Sequence, residues 1–167
     1  MDYCIRKRER KDCFDVANVI ALAWNETYKG IVPDEELKRL LNVKEEMGQR
    51  SYDKFDKDNN NKLVLEVNGK IVGFVGYGEA DDPDYLGIGE IQALYILNEA
   101  HGLGLGRKLV DEAIKELKKL GYSSMIISCF KGNPSNDFYK HIGGKYVKDR
   151  IYERLNLPEN VYYFEKI

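Results

Sequence analysis

Three glycines alternate with other residues in the stretch HGLGLGRKL, which runs from His101 to Leu109. They stand where a nearly continuous apolar run, Ile88 to Leu97, ends and an amphipathic helical pattern begins. Glycine loses more conformational freedom on folding than any other residue and weakens a helix relative to alanine. The stretch therefore predicts a strand, a tight turn and a helix, arranged so that the backbone of the turn is free of side chains.

A turn of this kind is a candidate site for an anion. The first N–H groups of a helix have no partner within the helix, and the helix dipole is positive at that end. The spacing is G-x-G-x-G, which matches neither the G-x-G-x-x-G of dinucleotide-binding folds nor the G-x4-G-K-[ST] of NTPase loops. On spacing alone, a phosphate site and a plain structural turn both remain open.

The order of the elements predicts a mixed α/β sheet in one domain that spans residues 1–167. Apolar spacing, turn residues and helix caps mark strands and helices along the whole chain. The predicted strands are Tyr3–Arg6, Leu63–Val67, Ile71–Glu79, Ile88–Leu97, Ser124–Phe130, Tyr146–Tyr152 and Val161–Lys166, and the predicted helices begin at Asp12, Pro33 and the glycine turn, with shorter ones at Glu45–Tyr52 and after Asn133.

The charge of the chain argues against a general nucleic-acid binder, since the net charge is −2 and the pI is about 5.8. The cationic stretch from Arg6 to Lys11 is therefore interpreted as a solvated strand end rather than a nucleic-acid patch. No apolar run reaches the roughly 18–20 residues of a membrane span, and the first residues lack the apolar stretch of a secretory signal. We expect a cytoplasmic protein that binds neither nucleic acid nor membrane.

The three cysteines, Cys4, Cys13 and Cys129, show no CxxC spacing and are odd in number. This pattern favours free thiols in a reducing compartment over disulfides or a metal site. The sequence therefore predicts no metal cofactor.

Gly89 to Leu109, GEIQALYILNEAHGLGLGRKL, resembles the acyl-CoA-binding core of the GNAT superfamily of N-acetyltransferases. That core is a central strand followed by [QR]-x-x-G-x-[GA] and a helix, and His101 stands here in place of Gln or Arg. Asn133 to Gly143, NPSNDFYKHIG, resembles the later Asn…Phe-Tyr…Gly segment, although its usual Gly-Phe ending is Gly-Gly here. Trp24 to Leu37 is similar to the acceptor-side helices of one branch of the family.

The resemblance implies a single-domain GNAT-like fold with six to seven mostly antiparallel strands, a parallel central pair and about four helices. It also implies acetyl-CoA as the acetyl donor. The pyrophosphate is expected on the glycine turn and the pantetheine arm along the central strand. The implied cofactor-binding residues are Tyr95, Ile96, Leu97, His101, Gly102, Leu103, Gly104, Leu105, Gly106, Arg107, Asn133 and Tyr139. Asn133 can equally cap the short helix that follows it.

Transfer to an amine needs a group that takes a proton from the nucleophile, because an alkylammonium is almost wholly protonated at pH 7. The resemblance implies Glu90 as this base or as part of a water relay, with a solvent-facing acid as the alternative; rivals for ordering the water are Glu26, Glu79 and Gln92. It implies Tyr139 as the acid that protonates the leaving thiolate, with simple helix packing as the alternative. A strand amide near Ile96 or Leu97 is expected to stabilise the oxyanion.

The acceptor is expected to be a primary amine of a small molecule or peptide. Trp24 and Tyr28 lie four residues apart on one helical face and can either wall a pocket or belong to the core. The residues proposed for the acceptor are Trp24, Tyr28, Glu79 and Gln92, within an acidic neighbourhood that includes Asp81, Asp82 and Asp84. The alternative function is a non-catalytic acyl-CoA sensor or partner module, and a homodimer is left open.

Overall fold

The computed structural model describes residues 1–167 as one seven-stranded mixed sheet with four α-helices. The elements in chain order are β1 (Tyr3–Lys7), α1 (Cys13–Thr27), α2 (Asp34–Asp53), β2 (Lys62–Val67), β3 (Lys70–Glu79), β4 (Gly89–Ile96), α3 (Leu105–Lys119), β5 (Met125–Phe130), α4 (Ser135–His141), β6 (Lys145–Tyr152) and β7 (Leu157–Phe164). The sheet order is β1-β2-β3-β4-β5-β7-β6. Only β4 and β5 pair in parallel, and all other neighbours are antiparallel. The predicted fold class is confirmed.

Helices cover both faces of the sheet. Residues Ile71 to Gly78 of β3 are all buried, although successive side chains of a strand point to opposite faces. Helices α1 and α3 both pack against β3 and β4. The apolar face of α3 is buried as its spacing predicts. Leu120, which the same pattern places on this face, is half exposed because the helix ends one residue earlier.

The second helix differs from the prediction. The structure has one helix of 20 residues, α2, where the sequence suggested a helix from Pro33 and a separate one at Glu45–Tyr52. Gly48 lies inside this helix without interrupting it, and its lack of a side chain is needed for helix packing. A Cβ at Gly48 would lie 2.7 Å from the Cδ1 atom of Phe14 in α1. The glycine thus allows α1 and α2 to pack closely.

The start of α1 lies where the sequence predicts it, since Asp12 is the N-cap residue of the helix. A short 3-10 turn, Arg10–Asp12, precedes the helix, and the carboxylate of Asp12 accepts a hydrogen bond of 2.7 Å from the backbone N–H of Glu9. The Asp12 side chain therefore closes a capping box that begins at Glu9 and does not cap α1.

The cationic stretch near the N-terminus is used within the fold rather than simply solvated. Arg6 pairs with Asp12, and the buried Arg8 pairs with Asp58 at 3.3 Å. The guanidinium of Arg10 bonds the carboxylate of Asp56. The pairs of Arg8 and Arg10 join the segment after β1 to the segment before β2, so these two cations hold a loop in place.

The central parallel pair opens almost as soon as it forms. Strands β4 and β5 share only three pairs, from Gly89↔Met125 to Ile91↔Ile127. Immediately afterwards β4 contains a β-bulge. Tyr77 of β3 pairs with Ile91, and the next residue back along β3, Gly76, pairs with Ala93. Gln92 is therefore the extra residue of β4. A bulge bends its strand and increases the local twist. Beyond Ile91 the two central strands therefore diverge.

A charge clamp ties α2 to the turn between β6 and β7. Glu36 accepts hydrogen bonds from Arg39 at 2.8 Å and from Arg154 at 2.6 Å. The hydrogen bond from Arg39, followed by that from Arg154, outweighs desolvation and lowers the pKa of Glu36 to about 2.

We predict that Glu36→Gln lowers stability in a pH-dependent way. The pKa of Glu36 is lower in the folded chain than in the unfolded one, so its contribution is present above about pH 4.5 and is lost as the pH falls towards 2. At pH 7 the loss should be on the order of 1 kcal/mol, because solvent screens the partners. Urea unfolding at pH 7, 4 and 2 measures it, with Glu35→Gln as the control. An unchanged difference at pH 2 would contradict the assignment.

Candidate functional site

A cavity of about 760 Å³ occupies the opening between β4 and β5. Four consecutive residues of β5, from Ile127 to Phe130, line it. Because neighbouring side chains of a strand point to opposite faces, the cavity passes between the strands and reaches both faces of the sheet. Its walls also include the glycine turn and residues of α1, α4, β6 and β7.

The glycine turn forms one end of this cavity. Gly102 and Gly104 have φ values of 78° and 73°, which only glycine adopts at little cost. Gly104 occupies the N-cap of α3 and provides no capping side chain, so the first N–H groups of the helix remain without a side-chain partner. Gly102, Gly104, Leu105, Gly106 and Arg107 line the cavity. Leu103, which the sequence placed among the cofactor contacts, is half exposed and does not.

Gly106 differs from Gly102 and Gly104 in whether the fold itself needs a glycine. A Cβ at this position would meet only the Cδ1 atom of Ile96, at an ordinary contact distance of 3.6 Å. The fold therefore does not require glycine here. The space in front of Gly106 belongs to the cavity.

The backbone of β4 faces the opening at Ile96. The N–H of Leu97 donates to the carbonyl of Val72 on β3 at 2.9 Å, and alternation along an antiparallel ladder turns the N–H of Ile96 to the other side. Leu97 does not line the cavity, and its amide is already used. Of the two expected oxyanion donors, only Ile96 is therefore available.

His101 closes the turn onto the end of β4. Its Nε2 lies 2.8 Å from the carbonyl oxygen of Ile96. A carbonyl can only accept, so Nε2 carries the proton and donates it. The side chain that departs from the family pattern thus fixes the turn against the strand that it follows.

Two side chains of the α4 region present polar atoms to the cavity. Asn133 is buried, and its Oδ1 accepts from the N–H of Ser135 at 2.9 Å. This bond satisfies one backbone N–H at the start of α4. The side-chain amide nitrogen of Asn133 has no hydrogen-bond partner within the chain. Tyr139 is 6% exposed, lines the cavity and makes no hydrogen bond through its hydroxyl. Burial, followed by the neighbouring Cys129 and Tyr95, raises the pKa of Tyr139 well above its usual range.

Cys129 lines the cavity beside these groups. Burial and, secondarily, the Glu159 carboxylate raise the pKa of this thiol to about 12. It therefore stays protonated at neutral pH, and a thiol is a far weaker nucleophile than a thiolate.

A network centred on Arg150 forms the wall between the two faces. The Arg150 guanidinium donates to Glu159 at 2.8 Å, Glu90 at 2.8 Å and Asp82 at 3.1 Å, and also to the Ser128 hydroxyl at 2.8 Å. Burial by itself lowers the pKa of Arg150, but the bonds to Glu90 and Glu159 outweigh it and raise the pKa. Arg150 is therefore a fixed cation with four acceptors.

This network changes the expectation for Glu90. The structure places Glu90 on β4 behind the cavity wall, 6% exposed and held by Arg150, and it does not line the cavity. Glu90 is thus not placed for direct contact with a substrate amine. Glu159 is the carboxylate of the network that does line the cavity.

The other end of the cavity is aromatic. We call its five members the aromatic box: Trp24, Tyr28, Tyr95, Phe130 and Tyr152. The ring of Trp24 is its centre, since the centroids of the other four lie 5.0–6.4 Å away. Trp24 and Tyr28 both line the cavity and pack in the same apolar cluster. The two alternatives for this pair, core and pocket wall, are therefore both realised.

The remaining acceptor candidates divide between the cavity and the surface. Gln92 and Glu26 line the cavity, and Glu26 accepts from the N–H of Asn98 at 2.7 Å, which ties α1 to the end of β4. Glu79 lies exposed at the end of β3 and does not line the cavity. Its backbone carbonyl accepts from the side chain of Gln92 at 3.3 Å.

The acidic loop also stays outside the cavity. Asp81 and Asp84 are exposed, whereas Asp82 is 2% exposed and belongs to the Arg150 network. None of the three lines the cavity.

Gly144 stands where the family segment that begins at Asn133 usually ends in an aromatic residue. Packing explains the glycine. A Cβ at Gly144 would lie 2.8 Å from the ring of Phe164 and 2.8 Å from the carbonyl oxygen of Tyr139. Phe164 of β7 therefore fills this place, and the exposed Tyr146 does not.

The comparisons with known proteins agree with this geometry. The sequence profile of the acetyltransferase (GNAT) family matches residues 18–143. The uncharacterised N-acetyltransferase YuaI of Bacillus subtilis is 30% identical over 152 residues, which cover 89% of this chain and 84% of YuaI. The chain belongs to the GNAT acetyltransferase family.

Solved structures show the same GNAT fold. The PaiA N-acetyltransferase of Thermoplasma acidophilum, in complex with coenzyme A, aligns over 100% of both chains with a TM-score of 0.77 and 21% identity. The yncA protein of Salmonella typhimurium, with acetyl-CoA, aligns over 100% of this chain and 96% of its own with a TM-score of 0.69 and 18% identity. No helix of this GNAT chain has both the length and the apolar character to cross a bilayer, and no cluster of three metal-ligating side chains forms.

Sequence reasoning missed Arg150 and Glu159. The sequence predicts a last strand that begins only at Val161, which leaves Glu159 in the preceding loop. In the structure β7 begins at Leu157 and pairs with both β5 and β6. The available signal was the run of three charged residues, Lys148 to Arg150, inside a predicted strand.

We predict that Arg150→Met destabilises the protein by about 3–5 kcal/mol at pH 7, because it leaves buried carboxylates without their cation. Urea unfolding at pH 7 measures it. Lys131→Met, which removes the exposed pair with Asp149, is the control and should change stability little. A loss in Arg150→Met no larger than that of the control would contradict the prediction.

Proposed function

We propose that this GNAT protein transfers an acetyl group from acetyl-CoA to a primary amine of a small molecule or peptide. One observation carries the proposal: a single cavity joins the uncapped N-terminus of α3 to the unbonded hydroxyl of Tyr139 and to an aromatic, acidic far wall. The first feature suits a pyrophosphate, the second suits a proton donor, and the third suits a cationic amine.

The residues present fit acetyl-CoA. Gly106 is a glycine that the fold does not need, at the place where a backbone must approach a phosphate. The free amide nitrogen of Asn133 and the cleft-facing N–H of Ile96 are donors for an extended arm along β4. The cofactor complexes of the Thermoplasma and Salmonella proteins, which share the fold, support the same ligand class.

When bound, acetyl-CoA supplies the thioester carbonyl that a neutral amine attacks. A nitrogen–carbon bond forms and the carbon–sulfur bond breaks, so one proton must leave the amine and one must reach the sulfur. Tyr139 is the proposed acid, since it lines the cavity with a hydroxyl that has no other hydrogen-bond partner. Its raised pKa keeps this hydroxyl protonated at neutral pH, so a proton is present to hydrogen-bond the sulfur as the carbon–sulfur bond breaks. Cys129 stays protonated, which favours direct transfer over an acyl-enzyme.

The route of the amine proton runs through water. Glu90 shares Arg150 with Glu159 and lies just behind the wall, and only one of its carboxylate oxygens is bonded. We therefore assign Glu90 to a water relay rather than to direct proton abstraction. Through Arg150 it also helps to position Glu159.

The alternative, an acyl-CoA-binding module without catalysis, rested on His101 and on the missing aromatic residue at Gly144. His101 holds the turn onto β4. Phe164 packs where a side chain at position 144 would otherwise lie. Neither departure from the family pattern removes a group that the proposed transfer needs.

Calorimetric titration tests the cofactor. We predict that acetyl-CoA and CoA bind, NADH does not, and Gly106→Val reduces CoA affinity at least tenfold without lowering the melting temperature. The reason is that a Cβ at this position makes only an ordinary contact with Ile96, while the rest of the valine side chain fills the space in front of the α3 amides. Lys118→Val, on the exposed face of the same helix, is the control. Normal CoA binding by the Gly106 variant would remove the phosphate site from the glycine turn.

Turnover tests the acid. We predict that Tyr139→Phe lowers kcat by about 10²–10⁴-fold, the usual contribution of a general acid, and leaves the affinity for CoA within about twofold. The phenylalanine keeps the ring packing and removes only the unbonded hydroxyl. Steady-state kinetics and calorimetry measure the two effects. A wild-type kcat would assign the proton to another donor.

A further inference from the structure

We infer that the acceptor is an aliphatic amine whose positive charge is recognised by the aromatic box together with Glu159, and that Glu159 is the residue that determines this specificity. This inference rests on the proposed function, because it concerns the acceptor of the same cavity. It narrows the substrate class from any primary amine to cationic amines without a carboxylate group.

Glu159 lies directly beside the box. It pairs with Phe130 across β5 and β7 and with Arg150 across β6 and β7, and side chains of directly paired residues lie on the same face of the sheet. Tyr152 is two residues from Arg150 on β6 and thus also faces this side. Its ring centroid lies 5.3 Å from that of Phe130. The carboxylate and the aromatic rings therefore belong to one wall.

One oxygen of Glu159 is free for a ligand. Arg150 bonds Oε1 at 2.8 Å, and Oε2 has no partner within the chain. The residue is 8% exposed and lines the cavity. An ammonium group can donate to this oxygen while its alkyl chain and charge contact the ring faces. Cations are attracted to the faces of aromatic rings, and more strongly when they are desolvated.

The charge balance of the wall favours a cation. The network behind it joins four carboxylates, Asp82, Asp84, Glu90 and Glu159, to two cations, Lys148 and Arg150. Two negative charges are therefore in excess. The field in this part of the cavity attracts a positive ligand.

A carboxylate on the acceptor would find no free cation here. Arg150 already donates to four acceptors. Arg154 contacts the ring of Trp24 but pairs with Glu36 and does not line the cavity. Arg107 lies at the glycine end, with the proposed cofactor. An amino acid would thus place its carboxylate against like charges, which is unfavourable.

Trp24 gives a direct readout, since it is the only tryptophan of the chain and the centre of the aromatic box. We would titrate the protein with 1,5-diaminopentane and with lysine, which differ by one carboxylate, and follow tryptophan emission and heat. We expect the diamine to change the emission and to bind at least tenfold more tightly than lysine. Equal binding of the two ligands, or a diamine that leaves the emission unchanged, would overturn the inference without any variant.

Glu159→Gln tests the residue itself. Glutamine keeps an oxygen that can accept from Arg150 but removes the charge. We expect at least a tenfold loss of diamine affinity and a matching rise in the KM for the diamine, with the affinity for acetyl-CoA unchanged. Glu165→Gln, an exposed acid with no ion pair, is the matched control and should behave as wild type. Wild-type diamine affinity in Glu159→Gln would contradict the assignment.

Acetyl-CoA calorimetry on the same samples distinguishes a failure of the inference about Glu159 from a failure of the proposed function. If acetyl-CoA binds and amines are acetylated without preference for cations, only the inference about Glu159 fails. If acetyl-CoA does not bind, the proposed function fails, while the diamine titration still decides whether the wall recognises a cation.

Discussion

The separation of β4 from β5 creates the cavity around which the proposed chemistry is arranged. Parallel pairing stops at Ile91, and the bulge at Gln92 turns the rest of β4 away. Backbone groups that a continuous sheet would have paired are left facing an opening. The glycine turn, α4 and the aromatic box each reach that opening from a different direction. A sheet that stayed closed would bury all of these groups without bringing them together.

Where β4 and β5 separate, backbone hydrogen bonds no longer hold the two strands together. The Arg150 network supplies part of the missing connection. Arg150 of β6 reaches Glu90 on β4, Ser128 on β5 and Glu159 on β7. Its bonds join strands on both sides of the opening. A buried ion pair is not by itself strongly stabilising. Here it also fixes the charge and position of the cavity wall, so the sheet and the proposed acceptor specificity involve the same guanidinium.

The two ends of the cavity have opposite electrostatic character. Uncapped N–H groups and the positive end of the α3 dipole lie at the glycine turn. Excess carboxylates and ring faces lie at the other end. On the proposed function, an anionic donor and a cationic acceptor would be directed to different ends of the cavity, whose lining also includes Tyr139 and Cys129. This separation suits a reaction that joins two unlike ligands in one pass.

Local patterns in the sequence determined much of this protein. The alternation of elements predicted the mixed sheet, and the glycine turn, Asn133 and Tyr139 were identified because each has a local reason: a positive φ, a helix start or a family block. The family block also identified Glu90, but its position in the sequence could not reveal that Arg150 holds it behind the wall. Leu103 was included because it lies within the glycine motif of the family, and Glu79 because it is one of several acids on the expected acceptor side.

Only the tertiary structure decided what stands opposite these residues. Arg150 and Glu159 come from the final hairpin, about 45 to 55 residues after the glycine turn, and they reach the cavity because β7 inserts between β5 and β6. No local periodicity encodes that insertion, since it depends on long-range strand pairing. The sequence by itself specified the turn that suits a phosphate, whereas the charge and shape of the acceptor wall depend on how distant strands meet.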